Sequence, residues 1–124
     1  MAKVEKDPIR EERISMEAIV DCYESEERAM GWYYYIADQL VTPFTATCIR
    51  KRRISPLKEG QTVKVTGMAP AEECEREMFV DIDWDGEPLA VPLHQLNPDE
   101  DDTDEATQIV VGDWHYWVDI GYQF

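Results

Sequence analysis

The densest group of side chains with metal-binding chemistry is a short acidic segment, residues 71–77. It holds four glutamates, Glu72, Glu73, Glu75 and Glu77. Carboxylates this close repel one another, and a hard divalent cation relieves the repulsion by binding their oxygens. Ca²⁺ accepts about 6 to 8 oxygen ligands in irregular geometry, whereas Mg²⁺ keeps more of its water. The segment therefore predicts a calcium site, against the plainer alternative of a solvated acidic turn.

Two other segments are similar to calcium loops without completing one. Residues 81–86, Asp-Ile-Asp-Trp-Asp-Gly, match the opening of an EF-hand loop, whose twelfth position must be a bidentate glutamate. That position is Pro92, which has no carboxylate, so Asp85-Gly86 instead predicts a tight hairpin turn. The acidic run 99–105 lacks the loop glycine. Any calcium site is therefore predicted to be of a non-EF-hand type.

The charge of the chain limits the classes of partner. The formal net charge is -15, and residues 69–105 hold 14 acidic side chains against one basic side chain. A polyanion repels phosphate backbones and anionic lipids and attracts cations or basic proteins. The exception is the basic run Arg50-Lys51-Arg52-Arg53, which we interpret as balancing the acidic field or meeting an acidic partner. Neither nucleic acid nor a membrane surface is expected as a partner.

Other reactive side chains are few: two histidines, His94 and His115, and three dispersed cysteines. Because there is no nucleophile motif, phosphate loop or His-Glu-x-x-His zinc motif, no enzyme activity is expected. His94 has two possible functional roles: pairing with a carboxylate for acid–base chemistry, or pairing with Cys74 to bind zinc. Isolated polar residues are more often structural. The cysteine spacing predicts free thiols rather than disulfides. With no signal peptide or long apolar stretch, the expected location is the cytoplasm.

The elements that must position these residues begin with helices. Residues 11–40 are predicted to be helical, because apolar side chains such as Met16 and Ile19 recur at helical spacing. The charged insert 24–28 predicts either two helices or one helix with a bend. Pro43 ends the helical stretch, since it lacks an amide proton and disfavours helical geometry in the residue before it.

From Phe44 the apolar period changes to two, which is typical of half-buried strands. Four strands are predicted, over residues 44–48, 62–66, 78–84 and 89–93. Short antiparallel strands with a long first connection and a tight third connection predict a small SH3-like antiparallel β-barrel spanning residues 44–93.

The end of the chain is ambiguous, because residues 109–120 fit both helical and strand periodicity. We favour a helix over residues 103–118, with Asp102 and Glu105 spaced as a capping box. The whole chain, residues 1–124, is thus predicted to be a single α+β domain. An SH3-like barrel would form its centre, with N-terminal helices and a C-terminal helix packed on it.

This topology is expected to bring the acidic segments together. In an up-and-down strand order, the start of the first strand, the second-to-third connection and the end of the fourth strand lie at one end of the barrel. The predicted calcium ligands are Asp38, Glu72, Glu73, Glu75, Asp99 and Asp101, which form either one site or two neighbouring sites.

Blocks spread over nearly the whole chain also resemble a known family. They are residues 26–35, 55–58, 67–70, 89–93 and 113–118, and include Gly31-Trp32-Tyr33-Tyr34-Tyr35 and Asp113-Trp114-His115-Tyr116-Trp117-Val118. These blocks resemble the small calcium-binding proteins of cyanobacteria called CcbP. The resemblance implies an acidic, non-EF-hand protein linked to calcium signalling and buffering during heterocyst formation. It matches one proposed ligand best, Asp38 after the aromatic run, while the others rest on topology.

The predicted function is calcium binding inside the cell, as a buffer or a sensor, through clustered carboxylates and with Ca²⁺ as the bound ion. The alternative is a metal-free SH3-like interaction module whose acidic face binds a basic protein. A metal site should show saturable, calcium-selective binding that survives moderate salt, whereas a purely charged protein contact weakens as salt screens it.

Overall fold

The structure is a computed structural model that describes residues 4–124, and its fold is α+β. Residues 4–124 contain three α-helices and five strands. They are α1 (Pro8–Arg13), α2 (Ser25–Gln39), β1 (Phe44–Cys48), β2 (Thr62–Met68), β3 (Phe79–Trp84), β4 (Glu87–Pro92), β5 (Leu96–Pro98) and α3 (Glu105–Ile120). The predicted N-terminal helical region, the four longer strands and the C-terminal helix are therefore all present.

The N-terminal region contains two helices, as the charged insert allowed. Helix α1 begins at Pro8, earlier than predicted, because the Asp7 side chain accepts the backbone N–H groups of Ile9 and Arg10. It continues as a π-helical turn over Ile14–Ala18. Helix α2 begins after Glu24, whose backbone N–H donates to the Glu27 side chain.

The five strands form one antiparallel sheet in the order β4-β3-β2-β1-β5. Asp85 and Gly86 join β3 to β4 with φ angles of 52° and 86°, so the hairpin prediction is confirmed and the EF-hand interpretation is excluded. Strand β5 was not predicted from the sequence. The closed SH3-like barrel is not confirmed, because the sheet is open: among residues 4–124, β4 and β5 are its unpaired edges.

The helix α3 resolves the ambiguity at the end of the chain. Asp104 caps it by accepting the backbone N–H of Thr107, and Gly121 closes it with a φ angle of 98°. Asp102 does not form the predicted capping box, because its carboxylate accepts the backbone N–H of Thr45 instead. No helix within residues 4–124 combines the length and apolar character needed to cross a membrane.

Aromatic packing between α2 and α3 forms the centre of the core. Trp32 is fully buried, and its ring lies 5.1 Å from that of Trp114 and 5.5 Å from that of Trp117, centroid to centroid. Large buried rings contribute much of the apolar surface removed from water. This packing fixes the positions of both helices relative to the sheet that they cover.

A buried carboxylate fastens the N-terminal helix to α3. Asp113 is 0% exposed and accepts hydrogen bonds from Arg10, Arg13 and Tyr35. A buried charge is tolerated only when it is paired and hydrogen-bonded, as this one is. Burial and this carboxylate together raise the pKa of Tyr35, which keeps the phenol protonated as a donor.

Replacing this carboxylate should loosen the N-terminal region. Asp113→Asn is expected to lower the free energy of unfolding by about 2 kcal/mol, because two arginines lose a charged acceptor. Chemical denaturation measures the change. The control is Glu12→Gln, an exposed position on α1, which should stay within about 0.5 kcal/mol of the parent. Equal stabilities for the two variants would contradict a stabilising role for Asp113.

Candidate functional site

The glutamates of residues 71–77 lie around one surface cleft. Glu72, Glu73, Glu75 and Glu77 line it, together with Arg76 and the apolar side chains Ile54 and Phe79. We call this the acidic cleft. Glu72, Glu73 and Glu75 are exposed and Glu77 is half-buried. The structure therefore keeps the three predicted ligands of this segment on one surface, within reach of a dissolved ion.

The segment is held in place by its backbone and by one buried side chain. The backbone N–H of Ala69 donates to the carbonyl of Phe79 at 3.2 Å, which closes the connection between β2 and β3. Cys74 is fully buried, and its Sγ accepts the backbone N–H of Phe79 at 3.3 Å. Tyr33 of α2 donates its hydroxyl to the Ala69 carbonyl at 2.9 Å. With Cys74 facing inward, the neighbouring glutamates face outward.

The carboxylates of this region raise the pKa values of neighbouring groups. Burial raises the pKa of the Cys74 thiol, and the carboxylates Glu73, Asp81 and Glu77 raise it further. Burial likewise raises the pKa of Tyr33, with Glu72 and Asp81 contributing in the same direction. Negative charges disfavour a further anion nearby, which is the physical cause of both effects. Asp81 thus belongs to the same acidic region.

Two arginines partly neutralise the acidic cleft. Arg52 forms a forked pair with Glu77, with nitrogen–oxygen distances of 2.7 and 3.2 Å, and this contact raises the pKa of Arg52. Arg76 lines the cleft itself. Arg52 comes from the basic run after β1, so the interpretation that this run balances the chain's own acidic field is supported at this residue.

Asp38 lies in a different surface cleft. Its neighbours there include Glu17, Cys22 and Tyr34, and the cleft is formed between α2 and the π-helical turn. Asp38 is exposed. It lies one helical turn after Tyr34, so the two side chains share one face of α2. Asp38 therefore does not line the acidic cleft.

Asp99 and Asp101 lie at the start of β1. The backbone N–H of Asp99 donates to the Thr45 carbonyl at 2.9 Å, and the following turn spans Glu100–Asp102. The Glu72–Glu77 segment instead contacts Arg52, which follows the end of β1. The structure gives no contact that supports one common end, because Asp99 lies beside Thr45 near the start of β1, whereas Glu77 pairs with Arg52 after the end of β1.

The six predicted ligands are thus distributed over three places. Within residues 4–124, no three carboxylates have oxygens that all lie within 4.8 Å of one another. Convergence at a single site therefore stays a prediction without a supporting contact. Two further acidic side chains of this region, Glu77 and Asp81, were not among the predicted ligands. Glu77 belongs to the same acidic segment as the predicted ligands. Asp81 alternates with the buried Val80 and Ile82 of β3, so the strand pattern places it on the opposite face of the sheet from them.

The donor atoms of the acidic cleft suit calcium better than other common metals. They are carboxylate oxygens, three of them on exposed glutamates, and carboxylates are hard ligands. No imidazole or thiol lines this cleft. The residues present therefore fit a calcium ion by their chemistry.

Comparison with known proteins decides the family. The family model Calci_bind_CcbP, described as calcium binding, matches residues 12–118. The chain belongs to the CcbP family. This membership confirms the resemblance found in the sequence and Ca²⁺ as the ion. The family is one of calcium-binding proteins and not a family of enzymes.

Two solved structures are similar over their whole length. The crystal structure of Anabaena CcbP shares 42% sequence identity with this chain and superposes with a TM-score of 0.86, covering 100% of both chains. A calcium-binding protein in the calcium-binding form shares 41% identity with a TM-score of 0.84, again over 100% of both chains. Curated protein sequences gave no match.

The inward position of Cys74 predicts the order in which the thiols react. In the folded protein, Cys74 should be alkylated more slowly than Cys22, because Cys74 is buried and Cys22 is partly exposed. Burial raises the pKa of both thiols, so the difference comes from access. Mass spectrometry of peptides after timed iodoacetamide treatment measures both rates. Equal rates, in protein shown by circular dichroism to be folded, would mean that Cys74 does not anchor the acidic segment.

Proposed function

We propose that this CcbP-family chain is a non-EF-hand calcium-binding protein that acts inside the cell as a calcium buffer or sensor, with the acidic cleft as its principal binding surface. The observation that carries the proposal is the gathering of Glu72, Glu73, Glu75 and Glu77 around one cleft. Anchored by the buried Cys74, these side chains form a high density of negative charge before any ion arrives.

The proposed mechanism is electrostatic. Like charges in the acidic cleft repel one another in the absence of a cation, and Ca²⁺ converts this repulsion into attraction to a shared ion. The glutamates are on the surface, so they move together at little cost in packing. Because the folded chain offers the cleft and the unfolded chain does not, calcium binding should stabilise the fold, by about 2.7 kcal/mol at a free concentration of 100 times the dissociation constant.

Asp38, Asp99 and Asp101 are proposed as additional ligands at their own positions. Asp38 has Glu17 in its cleft as a second carboxylate, and the turn of Asp99 and Asp101 carries the further acids Glu100 and Asp102. Their separation from the acidic cleft favours more than one binding position over a single shared site. The metal-free alternative, an acidic face for a basic protein, requires no selectivity for calcium over magnesium.

Removing charge from the acidic cleft should weaken calcium binding. The double variant Glu72→Gln/Glu73→Gln is expected to bind Ca²⁺ about tenfold more weakly, a loss of about 1.4 kcal/mol, because Gln keeps the shape and an oxygen but loses the charge. Isothermal titration calorimetry measures the affinity. Glu59→Gln is the matched control, an exposed glutamate outside the acidic cleft, and should bind as the parent does.

Parallel titration of Asp38→Asn distinguishes a shared site from separate sites. Loss of one binding step with unchanged affinity at the acidic cleft supports separate positions, whereas weaker binding at every step supports a shared site. Unchanged calcium affinity in the Glu72→Gln/Glu73→Gln protein would remove the acidic cleft from the proposed function.

The arginine that lines the acidic cleft should oppose calcium binding. Arg76→Gln is expected to strengthen Ca²⁺ affinity several-fold, since it removes a positive charge beside the proposed ligands. The same calorimetric titration measures the change, and the difference should shrink as salt is raised. Lys58→Gln, in an exposed position of the β1–β2 connection, serves as the control. Equal gains in both variants would point to overall charge rather than to the acidic cleft.

A further inference from the structure

A second cluster of metal-ligating side chains lies away from the acidic cleft. His94, in the turn Leu93–Gln95 between β4 and β5, meets His115 and Asp119 of α3. One ring nitrogen from each histidine and one oxygen of Asp119 all lie within 4.8 Å of one another. Among His, Cys, Asp and Glu side chains of residues 4–124, this is the one group of three that is so close.

The backbone places these side chains on two facing elements. His115 and Asp119 are four residues apart on α3, so they share one face of the helix. His94 lies opposite and is only 7% exposed, and the two imidazole rings have centroids 5.0 Å apart. The cluster therefore combines a buried base with an exposed carboxylate through which an ion can enter.

One nitrogen of the His115 ring is hydrogen-bonded to the backbone. Its Nε2 lies 2.7 Å from the backbone carbonyl of Leu96, which only accepts, so Nε2 carries the proton and donates. In the neutral ring Nδ1 then keeps its lone pair. Metal-binding histidines commonly donate their second ring N–H to a carbonyl or carboxylate in this way, which fixes the tautomer and the ring orientation.

The other histidine has two partners that it cannot satisfy together. His94 Nε2 lies 2.6 Å from Oδ1 of Asp119 and 2.9 Å from Nη1 of Arg50. An ionised carboxylate only accepts and a guanidinium only donates, whereas one ring nitrogen either donates or accepts. A cation bound between His94 and Asp119 would use the lone pair and the carboxylate at once. Nη1 of Arg50 also lies 3.4 Å from Oδ1 of Asp119, so its guanidinium competes with a bound cation for the same carboxylate.

Burial keeps both imidazoles neutral near pH 7. It lowers the pKa of His115 to about 4, with His94 and Arg50 contributing, and it is also the largest cause of the lowered pKa of His94. Neutral imidazole is the form that ligates metals, so protons compete weakly for these positions.

We propose that His94, His115 and Asp119 form a binding site for a divalent transition-metal ion, best suited to Zn²⁺, that is distinct from the calcium-binding surface. Two imidazoles and one carboxylate are a zinc donor set, with water in the fourth position, whereas calcium prefers oxygen ligands alone. The bound ion would tie the β4–β5 turn to α3. This proposal does not depend on the function proposed for the acidic cleft.

Zinc binding in excess calcium tests the proposal. Purified full-length chain is titrated with ZnCl₂ against a competing chelator dye, with saturating CaCl₂ to occupy the carboxylates, and with CoCl₂ alone to record ligand-field absorption. His94→Gln and Asp119→Asn should each weaken zinc binding at least about tenfold and change the cobalt spectrum. Asp119 is exposed, so that variant keeps the test informative should the histidine variant fold poorly.

Arg50 supplies a test that a nonspecific site would fail. Arg50→Gln should strengthen zinc binding, because the competing cation is gone, whereas the matched Arg53→Gln, at an exposed position of the same run, should leave it unchanged. The proposal is overturned if the parent binds no zinc in excess calcium, or if both His94→Gln and Asp119→Asn bind it as the parent does. The second result would assign zinc to another group, such as the partly exposed Cys22.

Discussion

The acidic cleft exists only because other interactions hold its mutually repelling carboxylates together at one surface. A chain with a formal net charge of -15 gains nothing electrostatically from crowding four glutamates into one connection, so other interactions must hold the crowd in place. They are the buried Cys74, the backbone pair between Ala69 and Phe79, and the hydroxyl of Tyr33. Arg52 relieves part of the repulsion by pairing with Glu77. Calcium binding is the proposed use of the charge that remains.

The sequence predicted the elements of the fold better than their assembly. Pro43, the alternation from Phe44 and the Asp85-Gly86 turn are local signals, and each corresponds to a boundary in the structure. Strand β5 has no such signal, because its strand geometry comes from pairing with β1, which is distant in sequence. Gly121 carried a usable signal that α3 is a helix, since glycine is common in the left-handed cap that it forms.

The candidate sites show the same division between local and distant information. The glutamates of the acidic cleft are neighbours in sequence, so their grouping was predictable, whereas the expected meeting with Asp38 depended on how distant segments pack, which local patterns do not determine. The cluster around His94 was not predictable in the same way. Its members come together only because α3 packs on the turn after β4, and that contact is set by the core around Trp114. The carboxylates of the acidic cleft, which suit calcium, and the cluster around His94, which suits zinc, thus lie in separate parts of the fold.

The central claim, that residues 71–77 bind calcium, is tested most directly by following backbone amide resonances of isotope-labelled protein during titration with CaCl₂ and, separately, MgCl₂. The account predicts that calcium shifts the amides of residues 71–77 saturably, at concentrations where magnesium leaves them nearly unmoved. If calcium saturates the protein while the amides of residues 71–77 stay in place and only other regions respond, the acidic cleft is not the binding surface.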